Sequence, residues 1–188
     1  AGSVAVAGFD VQTDPLEARR RMAYVPDFPF LYDKLTPTEF LRFTGELFDL
    51  SPERIHSASS GLIERFSLGP YLNKPIEGLS HGTRQRVAIV SALLHDPEVF
   101  VIDEPMVGLD PFHARVVKDV LKERSAAGMT VFLSTHQLSV AEEMADRIAI
   151  MHRGRIVAIG SREELREKSG AAGALEESFL ALTREEAD

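Results

Sequence analysis

Apolar and polar residues alternate over positions 3–8, a period of two that predicts an opening strand, with a turn at Gly8-Phe9-Asp10. Residues 16–21 are short and charged and lead into Met22-Ala23-Tyr24-Val25, a second strand, which Pro26-Asp27-Phe28-Pro29 ends. The period then changes. Thr36-Pro37-Thr38-Glu39 has the hydroxyl, proline and carboxylate of a capping box, so a helix starts there with Phe40, Phe43, Thr44, Leu47 and Phe48 as its apolar face. Ser51-Pro52 opens another helix in the same way, with Ile55, Ala58, Leu62, Ile63 and Phe66 as its buried stripe. Residues 73–82 read as loop. The next helix runs over about 83–95, where Asp96-Pro97 stops it.

Beyond this helical stretch, Val99-Phe100-Val101-Ile102 and Val131-Phe132-Leu133 are continuous apolar runs, the pattern of strands buried on both faces of a parallel sheet. The segment between them, 111–127, places Phe112, Val116, Val117, Val120 and Leu121 on one helical face and ends at Gly128. Strand, helix, strand predicts a right-handed crossover. Residues 148–151 and 155–159 flank His152-Arg153-Gly154, a hairpin. An amphipathic helix over 162–168, a linker over 169–173 and a short helix over 175–182 complete the chain. The expected class is α/β, with a parallel-sheet core and an inserted helical unit.

Composition narrows the function. The chain has 188 residues, 44% of them apolar, and no Cys, which excludes collagen-like, low-complexity and disulfide scaffolds. With 21 Lys+Arg against 29 Asp+Glu the net charge is −8, which works against capture of nucleic acid or anionic lipid. No apolar stretch reaches the ~18 to 20 residues that cross a bilayer. The chain opens within a strand pattern and without Met, so it is expected to continue upstream.

Four segments carry candidate chemistry. The strand 99–102 delivers Asp103-Glu104 to its carboxyl end, where parallel sheets open their ligand crevice. Alternation points the two carboxylates in different directions, so one can serve a metal and the other a water, the division of labour that phosphoryl transfer needs. The same residues also read as a strand ending in a polar turn. Leu79-Ser80-His81-Gly82-Thr83 places a hydroxyl and a small residue at the start of a helix, an anion site or simply a good N-cap. His136, just after a buried strand, can donate to a phosphate oxygen or be structural. Asp110 in Gly108-Leu109-Asp110-Pro111 caps the following helix whatever else it does.

The order of these segments resembles the ATP-binding cassette (ABC) ATPase family over essentially the whole chain. Asp27 follows Tyr24-Val25-Pro26, and then come LSHGTRQR, VFVIDEP, GLD and STH. The resemblance implies that Ser80 and Gly82, with His81 and Thr83 beside them, form the signature motif and contact the γ-phosphate of ATP. Asp103 holds Mg²⁺ through water, Glu104 polarises the attacking water, His136 senses the γ-phosphate, and Asp110 links two active sites. Asp27 takes the Q-loop position. There it keeps an oxygen for metal or water but lacks the glutamine's amide donor. His81 stands for the signature's first Gly and Thr83 for its Gln. No Gly-Lys pair occurs in the 188 residues, so the family's P-loop is expected upstream of residue 3. The chain then carries half a site, is expected to be inactive alone, and leaves apolar sheet surface uncovered next to Val101 and Val131.

The resemblance further implies domains at 1–33 (remnant of the ATP-binding core with the Q-loop position), 34–94 (helical subdomain with the signature), 95–168 (core with Walker B, D-loop and switch His) and 169–188 (linker and tail). It implies pairing with a second ATPase subunit, a homodimer or a close paralogue, and a transmembrane permease partner at the cytoplasmic face of the membrane, with no nucleic acid. Residues 31–36 and 175–183 resemble the ATPase subunits of bacterial multidrug or ABC-2 type exporters. The rival is a non-transport ABC ATPase acting on ribosomes or DNA. A degenerate cassette that binds a partner without hydrolysis is disfavoured by Asp103, Glu104 and His136. Phe28, Phe30, Leu31 and Tyr32 either plug the joint to the helical subdomain or form the groove that receives a permease helix.

Overall fold

The computed structural model describes residues 2–170 and 175–184. They fall into two compact units, Ala1–Ser134 and Thr135–Asp188.

The first unit opens with a hairpin of β1 (Ala5–Val6) and β2 (Phe9–Asp10). Its turn is Ala7-Gly8, both at positive φ, so Phe9 and Asp10 are strand and not the expected turn. α1 (Pro15–Arg20) then leads into β3 (Met22–Val25). α2 (Pro37–Leu47) begins at the expected capping box, with Thr36 accepting from the Glu39 amide and the Glu39 carboxylate accepting from Thr36 N–H. α3 (Pro52–Arg65) is capped by Ser51. The 73–82 stretch holds a 3₁₀ turn at Ile76–Gly78. α4 (His81–Ala92) starts two residues earlier than the sequence pattern suggested, because the Ser80 hydroxyl accepts from Thr83 N–H and caps it.

The buried face of α2 is Pro37, Phe40, Leu41 and Gly45; Phe43 and Leu47 of the expected face are exposed. Gly45 belongs to the buried face because Ile55 of α3 packs directly on the α2 backbone there, where a Cβ would collide with it. α4 is buried on nearly all sides, with Val87, Ile89 and Val90 fully covered. Each such side chain contributes about 1.5–3 kcal/mol, which makes α4 the core helix of this unit.

β3, β4 (Val99–Asp103) and β5 (Thr130–Ser134) form a parallel sheet in that order. α5 (Pro111–Ala126) connects the last two, burying Val117, Val120 and Leu121 but leaving Phe112 exposed. The expectation of strands buried on both faces is corrected. Ala23, Val25, Phe100 and Ile102 are covered, whereas the opposite face carries the cross-strand row Tyr24, Val101, Phe132, with Tyr24 56% and Phe132 65% exposed. Val101 lies in this uncovered row, as expected; Val131 pairs with Phe100 and points to the other face.

The second unit contains α6 (Leu138–Met144), missed from sequence, an antiparallel hairpin of β6 (Ile148–His152) and β7 (Arg155–Gly160), α7 (Arg162–Ser169) and α8 (Leu175–Arg184). Ile148, Ile150, Ala158, Leu165 and Leu175 form its core. Residues 171–173 of the expected linker lie outside the described residues. Among the described residues no helix is long and apolar enough to cross a membrane.

Gly45 in α2 and Gly61 in α3 should respond oppositely to the same substitution. A Cβ at Gly45 meets the Ile55 side chain, so Gly45→Ala is expected to cost about 1–3 kcal/mol. Gly61 in α3 has nothing within 4 Å, so Gly61→Ala should gain about 0.4–1 kcal/mol. Urea denaturation of both variants checks this.

Candidate functional site

Two strand ends carry the first group of candidates. Val25 of β3 pairs with Ile102 of β4, so Asp27 and Asp103 leave neighbouring strands at the same carboxyl edge. Both are half-buried, and Asp27 Oδ1 is buried with no hydrogen-bond partner among the described residues. Glu104 follows at φ 45°, a left-handed conformation rare for a side chain of this size, held by its N–H donating to Ser134 O at 2.9 Å. The left-handed backbone ends the strand's alternation at Glu104.

The signature segment forms the second group. Ser80 is exposed at the N-terminus of α4, its hydroxyl 2.9 Å from Thr83 Oγ1. A twelve-residue helix directs its positive end and its first free amides at whatever lies there. Gly82 lies against the backbone of Gly108, where a Cβ would collide with Gly108 O. Gly108, at φ +73°, lies in turn against the His81 ring. The Phe28 ring also meets His81, with centroids 5.6 Å apart. The structure therefore brings His81 and Gly82, Phe28 and Gly108 together, with both glycines required by close approach.

Asp110 caps α5, accepting from His113 N–H at 3.0 Å and from the His113 ring at 2.5 Å. The His113 side chain holds this carboxyl below its ordinary 3.8, at about 2. His136 lies in the second unit, two residues past Ser134, and is exposed.

Two residues that the sequence reading did not single out, Arg86 and His113, join these pieces. Arg86 is buried, and its guanidinium donates to Gly82 O, Phe66 O, Thr83 Oγ1 and His113 Nε2. The available signal was a lone Arg opening the apolar stretch Val87-Ala88-Ile89-Val90, where a charge must be buried with partners.

An α/β core with carboxylates at the carboxyl edge of a parallel sheet, and a capped helix N-terminus against the loop that follows them, is an arrangement that suits a phosphate-bearing ligand. The family described as ABC transporter matches residues 1–107. The ABC-type transporter ATP-binding protein EcsA of Bacillus subtilis (strain 168) is 35% identical over 99% of this chain and 76% of its own length. The daunorubicin/doxorubicin resistance ATP-binding protein DrrA of Streptomyces peucetius is 34% identical over 90% of this chain and 52% of its own. A solved structure of the ATP binding subunit of an ABC transporter superposes with a TM-score of 0.92 at 34% identity, covering 97% of this chain and 77% of the other. The chain belongs to the ABC transporter family. It spans between about half and three quarters of the length of these curated relatives.

The folded-state depression at Asp110 has a definite sign. Its contribution to stability is present above 3.8 and is lost as pH falls from there to about 2. The Asp110 carboxyl carbon should titrate near 2 in the parent chain and move up towards 3.8 in His113→Ala, as read by carbon NMR.

Proposed function

We propose that the chain is the ATP-binding and hydrolysing part of an ABC exporter's ATPase subunit, which couples ATP-driven pairing of two such subunits to a membrane permease from its cytoplasmic face. The observation that carries this reading is the contact of Gly82 in the signature with Gly108, on the short loop that follows Asp103 and Glu104. It fixes a phosphate-binding helix end to the segment that leads out of the carboxylate-bearing strand. The drug-resistance relative supports export.

In this reading Ser80, His81, Gly82 and Thr83 present a hydroxyl and backbone amides to the γ-phosphate of ATP held by the partner subunit, a homodimer mate or close paralogue. Glu104 orients and polarises the attacking water, His136 donates to the γ-phosphate, and Asp110 communicates between the two sites. Among the described residues no three His, Cys, Asp or Glu converge on a metal. Mg²⁺ needs no such cluster, since it takes one or two carboxylates with phosphate and water. Asp103, with the unpartnered Asp27 Oδ1, is the matching donor set. The ion would neutralise charge on the transferring phosphoryl group.

The permease would dock on the 27–35 loop and the neighbouring helix. A groove of about 210 Å³ is lined there by Pro29, Phe30, Leu31, Phe40, Thr44 and Phe48 among others. Phe30 is 95% exposed, which favours recognition over plugging. Tyr32 stacks edge-on against Phe43 at 5.3 Å and does both.

In the ATP-hydrolysing assembly, Glu104→Gln should retain ATP binding and the ATP-bound pair while turnover falls about 10²- to 10⁴-fold. Phosphate release and gel filtration read the two, and near-parental turnover would remove Glu104 from its role. Ser80→Arg should leave nucleotide binding to each subunit and abolish the pair.

Docking is tested separately. Phe30→Ala should abolish transport and co-purification with the permease at unchanged melting temperature. Tyr32→Ala should do the same and also lose about 0.5–1.5 kcal/mol of stability, the worth of an aromatic pair. Unchanged transport in both would refute the docking surface.

A further inference from the structure

A buried hydrogen-bonded chain runs from the signature to the D-loop aspartate. Thr83, whose hydroxyl meets Ser80 Oγ, accepts from Arg86 at 2.9 Å. A second nitrogen of Arg86 lies 2.8 Å from His113 Nε2, and His113 Nδ1 lies 2.5 Å from Asp110 Oδ2. A guanidinium has donors only. His113 Nε2 must therefore accept, which places the ring's single proton on Nδ1, directed at Asp110. The tautomer follows from the partners on each side.

We propose that His113 is a positioning residue that locks Asp110 of the D-loop to the signature end of α4 through Arg86, so that the two motifs move as one body when ATPase subunits pair. The proposal rests on the ATPase reading given above. Capping α5 does not require an imidazole, since the His113 backbone N–H already supplies the donor to Asp110 Oδ1. The ring adds a second bond to the same carboxylate and is the only described side chain that bridges it to Arg86. Its side chain is 14% exposed, so water competes little for either nitrogen. Arg86 cannot swing away, because Phe66 O and Gly82 O hold it from two further directions and Tyr71 lies beside it at 5.8 Å. The groups facing His113 are thus Arg86 from α4, Asp110 from its own N-cap, and the edge-on Phe112 ring.

Two substitutions cut the chain at different joints. His113→Asn keeps an amide donor near the Nδ1 position for Asp110 and removes the acceptor for Arg86. His113→Gln keeps an acceptor near the Nε2 position and removes the donor to Asp110. Long-range proton–nitrogen correlation spectra of the labelled 188-residue chain at neutral pH should show His113 protonated at Nδ1 and bare at Nε2. The amide signals of Gly82 and Thr83 should move in His113→Asn and stay near parental in His113→Gln, while those of Gly108 and Asp110 do the reverse. In the ATP-hydrolysing assembly, either substitution should lower kcat roughly ten- to a hundredfold with KM for ATP nearly unchanged, as misplacement without lost binding does. A proton on Nε2, or signature amides unmoved in His113→Asn, would overturn the chain of contacts. Parental kcat in both variants would overturn its positioning role. An assembly with no ATP turnover even in the parent would refute the ATPase reading and leave the spectra to decide the hydrogen-bonded chain.

Discussion

The first unit is organised around one buried cation. Removing a guanidinium from water costs several kcal/mol unless every direction is answered, and burial holds the Arg86 pKa below its ordinary value. Each answer comes from a different place: Phe66 O at the end of α3, Gly82 O and Thr83 Oγ1 in the first turn of α4, and His113 at the start of α5. Three helix ends are thus fixed relative to each other by one side chain. None of them can shift without leaving a charge unpaired, a larger loss than any single apolar contact near it.

The sheet supplies the second fixed point. Parallel pairing of Asp103 with Ser134 and the Glu104 N–H bond to Ser134 O extend the ladder one residue past the strand. That extra bond accommodates the left-handed Glu104, a conformation that costs of order 1–3 kcal/mol when unsupported. Strain and support occur at the same residue, so the left-handed turn and the ladder bond at Glu104 depend on each other. Cores tolerate many apolar exchanges, but this turn depends on the position of one backbone amide.

Much of this was legible in the sequence, and the reasons differ by element. The caps at Thr36, Ser51 and Ser80 are local, encoded within four residues, and a pattern reading can find them. The apolar face of α2 was misjudged because burial there depends on Gly45 meeting Ile55, a tertiary fact with no periodic signal. Strands 99–103 and 130–134 read as doubly buried because their residues are apolar on both sides, yet Tyr24, Val101 and Phe132 form an uncovered row. Composition records what a strand can bury, not what lies above it. The candidate site residues were visible by type and order, while Arg86 and His113 were not, because their meaning lies in bonds across 27 positions of sequence.

His81 shows why the site's motifs cannot be exchanged one at a time. Where the family's signature has a glycine, this chain places an imidazole whose ring fills the space against Gly108, and Gly108 in turn has a φ of +73°. A side chain at 108 would meet both the ring and an unfavourable backbone conformation. Its buried Nε2 has no partner among the described residues, a cost of about 1–3 kcal/mol that packing against Phe28 and Gly108 must offset. Bulk at 81 therefore demands its absence at 108, and Gly82 must stay small for the same approach. The three positions form one steric unit, and it leaves the Ser80 hydroxyl and the first amides of α4 at the helix end.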